Sequence, residues 1–526
     1  MPLLSGGSRH LNARSGVRQA TSSADLPSRV PQRVLDGIPG FLAWLALLVS
    51  LLLAFEAPYV ILALASLIGL YSSLRFLLAG IANFIGLRRI RAWERQDWVA
   101  WWHQHSGPHA LALDEIRHLV LIPNFDETHE TLHATLANLA RYPEAREQMH
   151  VVLAMEEAEE GSPAKAQKLC DAFADRFAAI HYSVHPQNLP GEIQCKSANL
   201  AWAARQAHQT LVEGGQLKLD TLVVTSMDAD TMWDPRYFSA LTCLFALHPQ
   251  RHLRFWQAPI RYHANIWDIS PPMRLINAYS TAFELAYLSA PWWLPLPMSS
   301  WSLSMRLLVE SDYWDGDVIA DEWHMFIKSW FAREGQVRLE RIFLPFAAHA
   351  TTGRTLRETV VNRYLQTLRH AWGSKEVGYI MAQMLARPDI RFGVAFQLLF
   401  RVAHDILLAG AGWILLTVGS QVTLLLHPDI LRELLELNVR SPVFLALQTG
   451  FLLVSTLCIV LWAQDVSLRP PRPVDRPQTL KERALTIASF PLMLILALVF
   501  VALPTLQAQT RLMLGIPLQF RVTRKD

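Results

Sequence analysis

Two apolar runs near the start of this chain constrain its fold more than any other feature. Ile38 to Phe55 is almost wholly apolar, Glu56-Ala57-Pro58 interrupts it, and a second run extends from Tyr59 towards Leu87. Each approaches the ~20 residues an α-helix needs to cross a bilayer, so a transmembrane hairpin is the simplest reading and a buried core hairpin its competitor. Arg75 lies inside the second run. The helix is therefore expected to leave the hydrocarbon near it and to continue along the interface with Arg88, Arg89, Arg91 and Trp93. Ahead of the hairpin, residues 1–37 are polar and rich in Ser, Gly and Arg, which predicts a disordered tail. Arg9, Arg14 and Arg18 precede the first acid, Asp25, so a transit peptide is an alternative, whereas a cleaved signal peptide would place its apolar core nearer the start. Arginines flank both sides of the hairpin, and the positive-inside rule puts the tail and the following domain in the cytoplasm.

The chain returns to the membrane after Gly378. Phe396 to Val418, Val443 to Ala463 and Leu485 to Leu506 are spanning candidates, the first of them open to an interfacial reading because it carries Arg401, His404 and Asp405. The loop with Arg469, Arg472, Arg476, Lys481 and Arg483 should be cytoplasmic. Three full spans would leave the C-terminus outside, whereas Arg511, Arg521, Arg524 and Lys525 argue for inside. At 52% hydrophobic and 18% charged, the 526 residues are too apolar for an ordinary soluble enzyme and too charged for a pure transporter. A globular part must lie between the membrane segments. The net charge of +3 gives a nucleic-acid partner no electrostatic support. Four scattered cysteines, Cys170, Cys195, Cys243 and Cys458, show neither zinc-like spacing nor a disulfide framework.

The globular part reads as alternating strands and helices. His118 to Ile122 is a strand, Thr128 a candidate N-cap for a helix through Tyr142, His150 to Ala154 a second strand ending in Glu156 and Glu157, and Ala164 to Phe177 a helix. Tyr182 to Val184 and Thr221 to Thr225 follow as third and fourth strands. This order predicts a βαβ domain with a mostly parallel sheet, whose strand-end acids gather along one edge. The fourth strand runs into Asp228-Ala229-Asp230. Two hard carboxylates at a strand end suit Mg2+ or Mn2+ carrying a diphosphate. A second triplet, Asp315-Gly316-Asp317, has no clear strand before it and reads as a turn.

The succession Ile122-Pro123-Asn124-Phe125-Asp126-Glu127, Glu156, Lys196, Asp228-Ala229-Asp230, Asp321-Glu322 and Gln366-Thr367-Leu368-Arg369-His370-Ala371-Trp372 resembles a membrane-bound family 2 glycosyltransferase, the family of cellulose synthase, hyaluronan synthase and ceramide glucosyltransferase. The resemblance covers about Leu113 to Lys375. It implies an A-type glycosyltransferase fold over residues 113–376, between a hairpin at 38–87, an interfacial linker at 88–112, and a C-terminal membrane region at 377–526 with interfacial and about three transmembrane helices. It also implies a nucleotide-sugar donor, a UDP-sugar by preference, a glycan or lipid acceptor in the bilayer, and transfer with inversion. The expected location is a plasma or bacterial inner membrane, with the catalytic domain cytoplasmic.

On that resemblance Asp126 and Glu156 stand where the family holds the nucleoside, Asp230 is the metal ligand, and Asp228 contacts ribose or metal. Lys196, after Pro190-Gly191 and at a helix start, suits a phosphate. An inverting transfer needs a base for the acceptor hydroxyl, and adjacent carboxylates at Asp321-Glu322 fit it. The family's order is Glu-Asp, so here the base is either Glu322, favoured by position, or Asp321. Gln366 and Arg369 share a helix face, and a guanidinium fork matches a diphosphate leaving group. Trp372 stands two residues later than the family's tryptophan, and with Trp301 it is a candidate acceptor contact. A processive synthase and a catalytically silent scaffold are the alternative readings, the second kept open by the reversed acidic pair. Cysteines placed near Glu56 should react with a membrane-impermeant thiol reagent added outside intact cells, whereas those near Arg91 and Arg472 should not; labelling at Arg472 would overturn the cytoplasmic placement.

Overall fold

The computed structural model describes residues 30–436 and 442–518. Most of the predicted tail and the basic residues Arg521, Arg524 and Lys525 lie outside them. Residues 32–37, read as tail, instead open the first helix, Gln32–Glu56.

The central sheet has seven strands in the order β3-β2-β1-β4-β8-β6-β9. β1 (Arg117–Pro123), β2 (Met149–Glu156), β3 (Ala179–His185) and β4 (Leu222–Ser226) are mutually parallel, as the alternation predicts. A three-stranded sheet is built from β5 (Met232–Trp233), β7 (Ile260–Arg261) and β10 (Phe346–Ala347). The apolar stretch from Phe255 to Ile260 is divided, with β6 at Arg254–Gln257 in the large sheet and β7 in the small one. β8 (Trp301–Ser304) runs antiparallel between β4 and β6, and β9 (Arg338–Arg341) closes the edge.

Both faces of the large sheet are covered, which is why its central strands are almost continuously apolar. Val120, Ile122, Val151, Leu153 and Val223 face one core with Leu132, Leu136 and Phe238. Leu119, Leu121, Val152, Leu222 and Val224 face the other with Leu200, Ala204 and Phe326. Thr128 caps the helix His129–Leu139 by accepting from Thr131 N, as its sequence position predicts.

Five helices among the described residues are long and apolar enough to cross a membrane: Gln32–Glu56, Pro58–Trp93, Phe392–Leu426, Gln448–Leu468 and Met493–Leu514. The last candidate differs from the expected 485–506, because the chain breaks after Leu480–Ser489 and restarts at Met493. Pro58–Trp93 continues unbroken past Arg75, whose guanidinium turns inward to Tyr287 Oη (2.9 Å) and Asp405 Oδ1 (3.2 Å). The basic loop after Leu468 is pinned by ion pairs of Arg469 with Asp465 (2.7 Å) and Arg472 with Glu482 (2.7 Å).

One helix ties the membrane helices to the sheet domain. Pro271–Ser289 packs against Pro58–Trp93 and Pro442–Leu468 and is buried along most of its length. Small residues permit the close crossings: a Cβ at Gly86 would stand 2.3 Å from Ser289 Oγ, and one at Gly40 would stand 2.3 Å from the carbonyl oxygen of Gln509. The second contact is with backbone, which cannot turn aside. Gly40→Ala should therefore separate the helices Gln32–Glu56 and Leu503–Leu514 at a cost of about 1–3 kcal/mol, measured as a lower midpoint of thermal unfolding in detergent.

Candidate active site

The carboxyl ends of β1, β2 and β4 meet at one edge, and the other elements bring side chains to them. After β1 the chain turns through Asp126, a non-glycine residue with φ 65°, in the left-handed region that Asp tolerates better than most. Glu159 holds this turn by accepting from Asn124 Nδ2 (2.6 Å) and Asp126 N (3.2 Å), and Lys165 is paired with Glu159 while donating to Glu127 O (2.7 Å). Glu156, at the end of β2, is buried and bonded to His185 Nδ1 (3.0 Å), whose Nε2 meets Glu192 Oε2 (2.8 Å). Burial alone would lower the His185 pKa, but the two carboxylates reverse the shift and raise it.

The antiparallel β8 explains what surrounds Asp228. Ser226 pairs with Trp301, so the loop entering β8 arrives at the carboxyl end of β4. Ser299 Oγ donates to Asp228 Oδ2 (2.7 Å), and Asp228 N donates to Ser300 Oγ (3.1 Å). The small sheet does the same for Asp230. β5 pairs with β10, and the chain leaving β10 directs His349 N (3.0 Å) and Nδ1 (3.2 Å) to Asp230 Oδ2.

Lys196 joins the two halves of the site. It opens the helix Lys196–Ala207, which Asn199 anchors by donating to Ala154 O (2.8 Å) at the end of β2. Its ammonium lies 2.7 Å from Asp228 Oδ1, 3.7 Å from Glu322 Oε1 and 3.9 Å from Asp321 Oδ2, and donates to Ser299 O (3.3 Å). Burial would lower the Lys196 pKa, yet the three carboxylates outweigh it and hold the amine protonated. Asp321 and Glu322 form the first turn of the helix Asp321–Ala332. The Asp321 side chain is 4% exposed and that of Glu322 27%. Burial, reinforced by the charge of Asp321, pushes the Glu322 pKa up to about 7. Burial raises that of Asp321 as well, opposed by Lys196 and by the more distant Arg369.

These groups line one cavity of ≈ 930 Å³. Asp126, Glu156, Lys196, Asp228, Asp230, Asp321, Glu322, Gln366 and Arg369 all face it. Two of the residues singled out from sequence do not. Trp301 is fully buried on β8 against Phe255 (5.0 Å) and Trp314 (5.7 Å), because its alternation on the strand turns it into the core. Trp372 is drawn into an apolar cluster with Ile319, Leu368 and Leu512, leaving Gly373 and His370 at the cavity wall. Trp323, directly after Glu322, lines the wall instead, and so do Ser299, His349, Tyr262, Glu284 and Tyr287. Trp323 was within reach of sequence reading, since it adjoins the acidic pair. Ser299 lies in the proline-punctuated stretch Pro295 to Trp301, which sequence reading also offers as an acceptor-side loop, and the other four come from segments without local signals.

The second Asp-x-Asp triplet is more than a turn. Asp315 is buried, bound to Lys328 Nζ (2.5 Å) and His324 Nε2 (2.8 Å), while His324 Nδ1 meets Glu376 (3.0 Å). This chain of charges fixes the helix that carries Asp321 and Glu322.

Among the described residues no group of three or more His, Cys, Asp or Glu side chains forms a metal cage. Asp228 and Asp230 are two oxygen donors on one cavity wall, a set suited to a hard divalent cation whose remaining ligands come from water and phosphate oxygens.

The chain matches no family model and no curated protein. Its structure is similar to the mannosyltransferase PcManGT from Pyrobaculum calidifontis in complex with GDP-Man and Mn2+, at 16% identity over 76% of this chain and 99% of that one, with a TM-score of 0.42. It is also similar to S. aureus TarS 1-349 in complex with UDP-GlcNAc (11% identity, 68% and 93% covered, TM-score 0.30) and to M. tuberculosis glucosyl-3-phosphoglycerate synthase (12%, 54% and 87%, TM-score 0.28). At TM-scores below 0.5 these likenesses assign neither substrate nor mechanism.

The His324 network carries a pH signature. Burial disfavours the imidazolium, but Glu376 and Asp315 raise its pKa from 6.5 to about 9. A pKa higher in the folded than in the unfolded chain contributes stability that is complete below pH 6.5 and lost as pH rises through about 9. Thermal unfolding measured from pH 6 to 9.5 should show that loss, and His324→Gln should flatten the profile while lowering stability at pH 6.

Proposed function

We propose that this protein is an integral-membrane glycosyltransferase that takes a nucleotide-sugar on the cytoplasmic side and transfers the sugar, with inversion, to an acceptor associated with the bilayer. The observation that carries the reading is the meeting of Asp228, Asp321 and Glu322 around one lysine, in a cavity that runs from the carboxyl edge of a parallel sheet to the membrane helices. Ligands of open α/β sheets bind at that edge.

Asp126 and Glu156 can accept hydrogen bonds from a base or ribose, with His185 fixing Glu156. Asp228 and Asp230 would hold Mg2+ or Mn2+, which when bound neutralises the charge of a diphosphate. Lys196 is already among these acids, so it stands ready to meet a phosphate oxygen without a long excursion. Arg369, which also lines the cavity, suits the charge that grows on the leaving diphosphate. Gln366 is half of a pair with Arg363 (2.8 Å) and acts by shaping that wall.

The base must combine access with proton affinity. Glu322 is the more exposed member of its pair, and a pKa of about 7 lets it be ionised yet basic at neutral pH. Asp321 is turned inward and raises the basicity of its neighbour. The base is therefore Glu322, which takes the acceptor hydroxyl's proton as that oxygen attacks the anomeric carbon.

The test is a panel of nucleotide-sugars, followed by release of the nucleoside diphosphate with and without Mg2+ or Mn2+. Transfer should rise with pH through about 7 as Glu322 ionises. Glu322→Gln should lower transfer by roughly 10²-fold and abolish that limb, with donor binding retained. Asp321→Asn should instead shift the limb to lower pH. The opposite ranking would move the base to Asp321, and no turnover with any donor would leave the scaffold reading.

A further inference from the structure

The cavity does not end at Glu322. Beyond Trp323 its wall is formed by Tyr287, Arg401 and Asp405, and the last two lie on the candidate span Phe392–Leu426. A second candidate span, Pro58–Trp93, carries Arg75, which reaches this wall through Tyr287 Oη (2.9 Å) and Asp405 Oδ1 (3.2 Å). Asp405 binds Arg75 (Oδ1, 3.2 Å), the Arg401 guanidinium, and His404 Nδ1 (Oδ1, 3.0 Å). Arg401 also donates to Leu294 O (2.9 Å). Among the described residues Asp405 is the one acid paired with either arginine. Glu284, one turn from Tyr287 on the same helix, is engaged with Tyr262 (3.1 Å). Two permanent positive charges thus share one negative charge, on helices where an unbalanced charge is costly.

The aromatic rings at this end are already occupied. The Arg401 guanidinium lies 4.8 Å from the centroid of Trp293, 5.3 Å from Tyr287 and 5.9 Å from Trp323, and Arg75 lies 5.6 Å from Trp293. Each of these rings therefore has a guanidinium over one face. They preorganise the arginines, so what the site presents is fixed positive charge. Towards the outside the same helix exposes Phe396 and Phe400, the latter stacked towards His404 (5.5 Å).

We propose that this end of the cavity is the acceptor subsite and that it takes a lipid bearing an anionic phosphate headgroup, held by Arg75 and Arg401 while its apolar tail stays in the bilayer. The inference rests on the transfer reading of the cavity, and it narrows the acceptor from any glycan or lipid to a lipid phosphate. A phosphate accepts bidentate bonds from guanidinium and supplies the negative charge that Asp405 alone does not.

Full-length protein in phosphatidylcholine nanodiscs should bind dodecyl phosphate calorimetrically and should not bind dodecanol. Inorganic phosphate should bind at least about tenfold more weakly, and Arg75→Gln or Arg401→Gln should each weaken dodecyl phosphate by roughly tenfold, as expected for one lost charge-assisted pair. Asp405→Asn removes the competing carboxylate and should tighten binding, an outcome that general damage to the fold would not produce. Equal binding of dodecanol, or unchanged binding in the arginine variants and in Asp405→Asn, would overturn the site; equal binding of inorganic phosphate would overturn its assignment to a lipid. Donor turnover without dodecyl phosphate binding would overturn this inference and leave the transferase reading. Binding without turnover of any nucleotide-sugar would do the reverse.

Discussion

The site depends on one buried cation. Without Lys196, three carboxylates from two elements would crowd one point of the cavity, and like charges so placed cannot all remain ionised. The lysine opens a helix anchored to β2, Asp228 leaves β4, and Asp321 and Glu322 open a helix that follows β8, so the ion cluster also joins segments distant in sequence. It resolves repulsion only in part. Glu322 keeps a raised proton affinity because burial and the charge of Asp321 outweigh the ammonium, and that residual imbalance suits a base.

The sequence made the near half of the sheet readable and hid the far half. β1, β2 and β4 are apolar runs ending in acids, and Thr128 caps its helix as its position predicts, because these are local signals. β8 escaped notice because Trp301-Ser302-Leu303-Ser304 is four residues long, follows a proline-rich loop and gains its identity from pairing with β4 and β6. Pro271–Ser289 has no capping bond at its N-terminus and little amphipathic contrast, being buried nearly all round. The same division holds for the site. Residues on motifs could be named from sequence, and the proline-punctuated loop with Ser299 and the charges Arg401 and Asp405 in an apolar run also stand out there, whereas His349 reaches the cavity through β10 and nothing in its own neighbourhood announces it.

The two Asp-x-Asp triplets show how context separates identical patterns. Asp228 and Asp230 leave a central strand, at the edge where the cavity opens. Asp315 follows Asp312 and Tyr313, both at positive φ, and is enclosed by Lys328 and His324. Cavity-lining acids and structural acids can thus share a spacing. Here Asp315 braces the helix that Asp321 and Glu322 begin.

The long helix Phe392–Leu426 departs from regular α-geometry at two π-bulges, Leu408–Gly412 and Leu415–Gly419. Each bulge amounts to one inserted residue, which advances the angular phase of everything after it by about 100°. The segment before the bulges, Phe392–Leu407, turns Arg401 and Ile406 inward with Phe396 and Phe400 outward. After two such phase shifts the distal part is no longer bound to that pattern. One helix can therefore serve as the wall of a polar cavity over its first turns and as an ordinary bilayer helix over its last, with no break in the rod.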